Sequence, residues 1–135
     1  MKQLAAVAIA FACSTSFASE ITVGVHLYTQ HFSPSEGYNN VTPGLYVVVD
    51  NWIGGSYYNS ERRASVYGGY VFKQFGGSPF DLIVGAISGY SNRPITPLLV
   101  PSFAWKGWRI TLIPPIPIEP KHNTGALHLS YEFSL

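Results

Sequence analysis

The chain has 135 residues, 11% of them charged and 15% aromatic, with a formal net charge of +1. A soluble domain ordinarily carries about 25% charged residues, so this composition argues against a surface that faces water everywhere. With no basic run and almost no net charge to gather phosphates, nucleic-acid binding is set aside.

Residues 1–18 have the layout of a secretory signal peptide: Lys2, an apolar run from Leu4 to Ala12, then small and polar residues through Ser16 and Ala18. The run is too short to span hydrocarbon as a helix, which takes about 20 residues. Cleavage before Ser19 leaves one domain over residues 19–135 and removes Cys13, the one cysteine. The mature domain then has no disulfide and no thiolate. Acylation of Cys13 as a lipoprotein is the weaker alternative, because Ala10-Phe11-Ala12 lacks the leucine expected before such a cysteine.

Beyond the leader, alternation of apolar with polar residues, rich in β-branched and aromatic side chains and punctuated by Gly, Pro, Asn and Asp, predicts eight strands. In chain order they are Ile21 to Tyr28, Gly44 to Asp50, Asn51 to Asn59, Arg63 to Phe72, Phe80 to Tyr90, Pro97 to Trp105, Trp108 to Ile113 and Ala126 to Leu135. Their connections alternate in length. Asp50-Asn51, Lys73 to Ser78 and Lys106-Gly107 are short, whereas Thr29 to Thr42, Ser91 to Thr96 and Pro114 to Gly125 are long. The tight turn at Glu61-Arg62 is the exception. Short periplasmic turns with longer outer loops are the habit of outer-membrane barrels, and an even strand count brings both chain ends to one side.

The last strand sets Leu127, Leu129, Tyr131, Phe133 and Leu135 on an outward face and His128, Ser130, Glu132 and Ser134 inside. The first sets Ile21, Val23, Val25 and Leu27 outside and Thr22, Gly24, His26 and Tyr28 inside. Trp52, Tyr57, Tyr58, Trp105 and Trp108 suit interfacial aromatic girdles. Tyr46 to Val49 and Leu98 to Val100 are apolar on both faces, so the interior is either a packed plug or an apolar cavity for a hydrocarbon chain. Some strands fall short of the roughly 9–11 residues that cross a bilayer, and a soluble β-sandwich or barrel remains the rival fold.

Three polar residues gather at the expected outer end. A hydroxyl becomes a useful nucleophile when an imidazole removes its proton, so His26 with Ser60 is a candidate pair for acyl transfer, and Asn59 a candidate orienting or oxyanion-binding group. An interior, hydrogen-bonded His26 and ordinary turn chemistry at Asn59-Ser60 is the competing account.

The segments Val25-His26-Leu27-Tyr28, Tyr38-Asn39-Asn40 and Pro43-Gly44-Leu45-Tyr46, followed by Asn59-Ser60, resemble the outer-membrane lipid A palmitoyltransferase family. Arg93 to Pro101, with its bracketing prolines, and Thr111-Leu112-Ile113-Pro114 extend the likeness over most of the mature chain as scattered short motifs. In that family a first-strand histidine and an Asp-Ser pair ending the third strand stand where His26 and Asn59-Ser60 stand here. Proline has no backbone N–H and interrupts the ladder, and in the resembling family such gaps are where lipid enters from the side. The resemblance implies transfer of an acyl chain from a phospholipid to a lipid acceptor such as lipid A, with His26 as general base, Ser60 as hydroxyl partner or nucleophile, and no soluble cofactor. Two departures stand out. The family's leading amphipathic helix is missing, and Asn59 replaces the aspartate, which removes a charged neighbour for His26.

His128, Ser130 and Glu132 form a second set with the residue types of a hydrolase. Spacing of i, i+2 arises wherever one strand face is polar, however, and the expected topology puts these residues toward the periplasmic end. His26, His31, His122 and His128 are too dispersed for a zinc shell, so no metal is expected.

The sequence therefore points to an all-β, eight-stranded antiparallel up-and-down transmembrane β-barrel, exported to the outer membrane of a Gram-negative cell, whose partners are membrane lipids. Two functions fit this reading: an acyltransferase, or a non-enzymatic outer-membrane barrel that binds lipid or modifies the cell surface. N-terminal sequencing of the exported protein is expected to start at Ser19; a chain beginning with acylated Cys13 would establish the lipoprotein alternative.

Overall fold

A computed structural model describes residues 19–32, 37–91, 93–114 and 125–135. The expected leader and His122 lie outside these residues. Eight strands form: β1 (Ile21–His31), β2 (Val41–Val49), β3 (Trp52–Tyr58), β4 (Ala64–Phe72), β5 (Asp81–Ile87), β6 (Thr96–Trp105), β7 (Trp108–Ile113) and β8 (Ala126–Ser134). Each pairs antiparallel with its successor and β1 pairs with β8, so the sheet closes on itself and has no edge. The expected all-β, eight-stranded antiparallel barrel is present. No helix among the described residues is long and apolar enough to cross a membrane.

The two shortest connections owe their tightness to left-handed backbone. Asp50 and Asn51 have φ of 49° and 78°, and Lys106 and Gly107 have φ of 49° and 86°. Each pair closes a two-residue hairpin, between Val49 and Trp52 in one case and between Trp105 and Trp108 in the other. Positive φ at both central residues matches the right-handed twist of the flanking strands, and Asp, Asn and Gly bear that conformation best. These turns, the β4–β5 turn and both ends of the barrel domain lie at one end, here the turn end; the longer connections crown the other, the loop end.

Side-chain alternation holds around the barrel, with two corrections to the sequence reading. In β1 the register slips between His26 and Tyr28. This bulge turns Leu27 and Tyr28 both outward and brings Thr29 and His31 inside, so Tyr28 is exposed instead of lining the interior. In β3, Trp52 and Tyr58 lie outside while Ile53 and Tyr57 lie inside, because residues one apart in a strand face opposite ways. Tyr57 is therefore an interior residue and not part of a girdle. The outer face is apolar along its height. Leu45, Val47, Val66, Val84, Leu99, Ile110, Leu112 and Leu127 are all exposed, and Trp52, Trp105 and Trp108 surround the turn end.

The core is the inner face at mid-height, where Tyr46, Val48, Ile53, Val71, Ile83 and Val100 pack together. Apart from the bulge in β1, ladder pairing is continuous except between β6 and β7, which pair only from Ser102–Thr111 to Trp105–Trp108. Toward the loop end β6 carries Pro97 and Pro101, each without a backbone N–H, and runs on without pairing to β7.

Between β4 and β5 the backbones approach closely at Gly69 and Gly85, which face one another in the register. A Cβ on Gly85 would lie 2.1 Å from the Gly68 carbonyl oxygen. Gly85→Ala is expected to lower the unfolding free energy by about 1–3 kcal/mol, read from the urea midpoint of the purified barrel.

Candidate functional site

The β1 bulge builds the site. By carrying Thr29 to the interior it sets that hydroxyl against His128, near the loop end of β8, while His26 stays on the inner wall one step below. His26 Nδ1 and His128 Nε2 are 2.7 Å apart, and His128 Nδ1 lies 2.8 Å from Thr29 Oγ1. Thr29 Oγ1 is in turn 2.9 Å from Thr42 Oγ1 on β2, and His26 Nε2 is 2.8 Å from the Tyr67 hydroxyl on β4. Five side chains on four strands thus form one unbroken hydrogen-bonded chain. Each hydroxyl can donate or accept and each neutral imidazole does both, so the chain is satisfied in either of two directions. A proton delivered at one end and one released at the other would reverse it. The His26 ring also packs against Tyr46 and Tyr57, with centroids at 4.7 and 5.1 Å, which fixes its plane.

Above and beside this chain is a cavity of about 440 Å³. Its walls are largely aliphatic and aromatic, with Ile83, Ile87, Leu98, Val100 and Ile113 around the His26–His128 pair and Ser60, Glu61 and Arg93 at the rim. Pro97, Leu99 and Pro114 also line it, so the cavity reaches the stretch where β6 and β7 are unpaired. At the rim the Tyr57 and Tyr90 hydroxyls are 2.8 Å apart, and burial is the main cause that pushes the Tyr90 phenol above its ordinary pKa.

The three residues singled out from sequence take different positions. His26 and Ser60 line the same cavity, but no hydrogen bond joins them; the ring nitrogens of His26 are engaged by His128 and Tyr67. Asn59 is fully buried and holds the tight turn. Its Oδ1 accepts from the backbone N–H of Glu61 and Arg63, and its Nδ2 donates to Ser65 Oγ and to the Gly89 carbonyl. Those bonds leave the amide no proton for an oxyanion, so Asn59 acts by fixing the turn that carries Ser60. They also account for asparagine here, since a carboxylate could not donate to the Gly89 carbonyl.

The second set does not assemble as a triad. His128 belongs to the His26 chain toward the loop end, which corrects its expected position at the far end of the barrel. Ser130 meets the Tyr46 hydroxyl at 3.1 Å, and Glu132 accepts from Arg109 Nε at 2.6 Å. Successive inward residues of a strand are about 7 Å apart, which hands each of the three to a different layer. Sequence reading missed the His26–His128 contact, Thr29, Thr42 and Tyr67. The signal was the closure itself. Pairing the first strand against the last from the chain ends inward brings His26 opposite Ser130, one inward step from His128. Among the described residues no group of three or more His, Cys, Asp or Glu side chains is placed to hold a metal ion.

Comparison with known protein families and with curated proteins finds no match for this sequence.

Asn59→Asp is expected to destabilise the fold by about 1–3 kcal/mol, because it sets an acceptor against the buried Gly89 carbonyl. Urea unfolding of the two proteins measures this, and equal midpoints would refute the assignment of Asn59 to the turn.

Proposed function

We propose that the protein is an outer-membrane β-barrel, akin to lipid A palmitoyltransferases, that takes an acyl chain of a membrane lipid into its upper cavity and transfers it to a lipid acceptor. The observation that carries this reading is the apolar cavity beside an unpaired β6–β7 seam, with an imidazole pair on its wall. The continuous apolar outer face supports placement in a bilayer, since a surface of this kind exposed to water would be an aggregation liability. A lipid chain passing through the seam exchanges one apolar surrounding for another, so no desolvation opposes its entry. Once the chain is seated, the ester at its head lies near the rim, where Ser60 is.

In the transfer step an activated hydroxyl, that of Ser60 or of the acceptor lipid, attacks the ester carbonyl. His26 takes the proton, and the lysophospholipid alkoxide leaves and is protonated in turn. The acyl–oxygen bond to the donor breaks as the new ester bond forms, and no redox partner is needed; where Ser60 is the nucleophile, the acceptor hydroxyl then attacks the acyl-serine, its proton passes to His26, and the Ser60 oxygen leaves and is reprotonated. His128 and Thr29 orient the His26 ring and give the proton a second resting place.

A second reading, a barrel that binds lipid without reacting it, is favoured by one observation: both ring nitrogens of His26 are engaged and neither partner is Ser60. Purified protein incubated with phospholipid bearing a labelled acyl chain and with lipid A separates the two. Under the first reading labelled acceptor accumulates, and His26→Ala or Ser60→Ala lowers the rate by about 100-fold or more. Retention of the labelled lipid without any product establishes the second. Recovery of the folded protein from the periplasm without detergent overturns both.

A further inference from the structure

Below the cavity the interior changes character. A second cavity of about 500 Å³ occupies the turn end, with Thr22, Asn51, Asp81 and Glu132 in its wall and the solvent-exposed pair Glu20–Lys73 at its mouth. The two cavities share only Ile53 and Arg109 as lining residues. Arg109 is buried, and its guanidinium is the hub of the layer between them. It reaches Glu132 on β8 at 2.6 Å, Asp81 on β5 at 3.0 Å and Ser102 Oγ on β6 at 2.5 Å.

The layer continues across the lumen. Glu132 Oε1 also accepts from the Tyr46 hydroxyl at 2.8 Å, which joins β2 to the network. Tyr46 can lie across the interior because its register partners on both sides are Gly24 and Gly55. A Cβ on Gly24 would stand 2.0 Å from the Tyr46 ring, and one on Gly55 would stand 2.5 Å from the Tyr46 Cβ. Val71 on β4 and Ile53 on β3 pack in the same core cluster as Tyr46, so seven strands contribute side chains here and β1 contributes Gly24.

We infer that the Arg109–Asp81–Glu132–Tyr46 layer is a septum that seals the barrel lumen, separating an upper apolar chamber open to lipid from a lower polar chamber open to water. This rests on the placement in a bilayer proposed above, but not on any acyl transfer. A barrel with a breached wall on one side and a water-filled vestibule on the other would leak if the two spaces met. The septum prevents this because the guanidinium fork is bound on three sides and cannot swing aside without depriving two part-buried carboxylates of their counter-charge. The small Gly24 and Gly55 leave room for the tyrosine ring that fills the rest of the section.

The test is leakage of a trapped small anionic dye from phospholipid vesicles containing the refolded protein, with folding checked by the mobility difference between unheated and boiled samples on a detergent gel. Wild-type vesicles are expected to retain the dye as protein-free vesicles do. A variant carrying Arg109→Ala, Asp81→Asn and Glu132→Gln removes the fork without leaving an unpaired charge, and its vesicles are expected to lose the dye. Arg109→Lys keeps the charge but cannot bridge both carboxylates, and its vesicles are expected to lose dye more slowly; it serves if the triple variant does not fold. Leaky wild-type vesicles, or a folded variant as tight as wild type, would overturn the septum while leaving the lipid-binding reading intact. A wild-type barrel that folds but never enters vesicles would overturn the placement in a bilayer and the septum with it.

Discussion

The hydrogen bonds that join β1 to β8 are the constraint on which the rest depends, because closing the sheet leaves no edge and commits every second residue to a narrow lumen. Polar side chains directed there have little water to turn to and must satisfy one another. Among the described residues no buried side-chain nitrogen or oxygen lacks a partner. The histidine–threonine–tyrosine chain and the Arg109 layer are the two places where that requirement is met by linking several strands at once. Each serves the fold and the interior chemistry together, since the bonds that satisfy buried groups also orient them.

Two local departures from regular structure position the candidate site. The β1 bulge shifts the face of everything after His26, and without it Thr29 would point outward and His128 would lose that partner. The tight turn after β3 is held by one buried amide that accepts two backbone N–H groups and donates to a hydroxyl and a carbonyl. Asparagine at position 59 thus has a structural cause in this chain. The hydrogen-bonded partner of His26 Nδ1 is His128, a second imidazole.

The interior is asymmetric along its axis. Aliphatic walls and an interrupted ladder occupy the loop end, a polar cavity occupies the turn end, and a compensated ion cluster lies between them. In the proposed function the first part receives a lipid chain and the ion cluster keeps the barrel closed to water. Tyr46 belongs to both, with its ring beside His26 and its hydroxyl on Glu132.

Strand identity, strand count and the inward face of β8 were legible in the sequence, because alternation with period two is a local property of each strand and left-handed turn residues mark where strands reverse. His26 and Ser60 could also be named as residues facing one cavity. Interior pairing was not legible. Whether Tyr28 or Thr29 points inward depends on a one-residue slip against two neighbouring strands, and whether His128 meets His26 depends on the register across residues a hundred positions apart. Those are decided by closure of the whole sheet, which no window of sequence contains. Arg109 makes the same point. In the sequence it is one polar position near the start of β7, and only the closed barrel brings Asp81 and Glu132 to it from either side, where burial of the charge requires them.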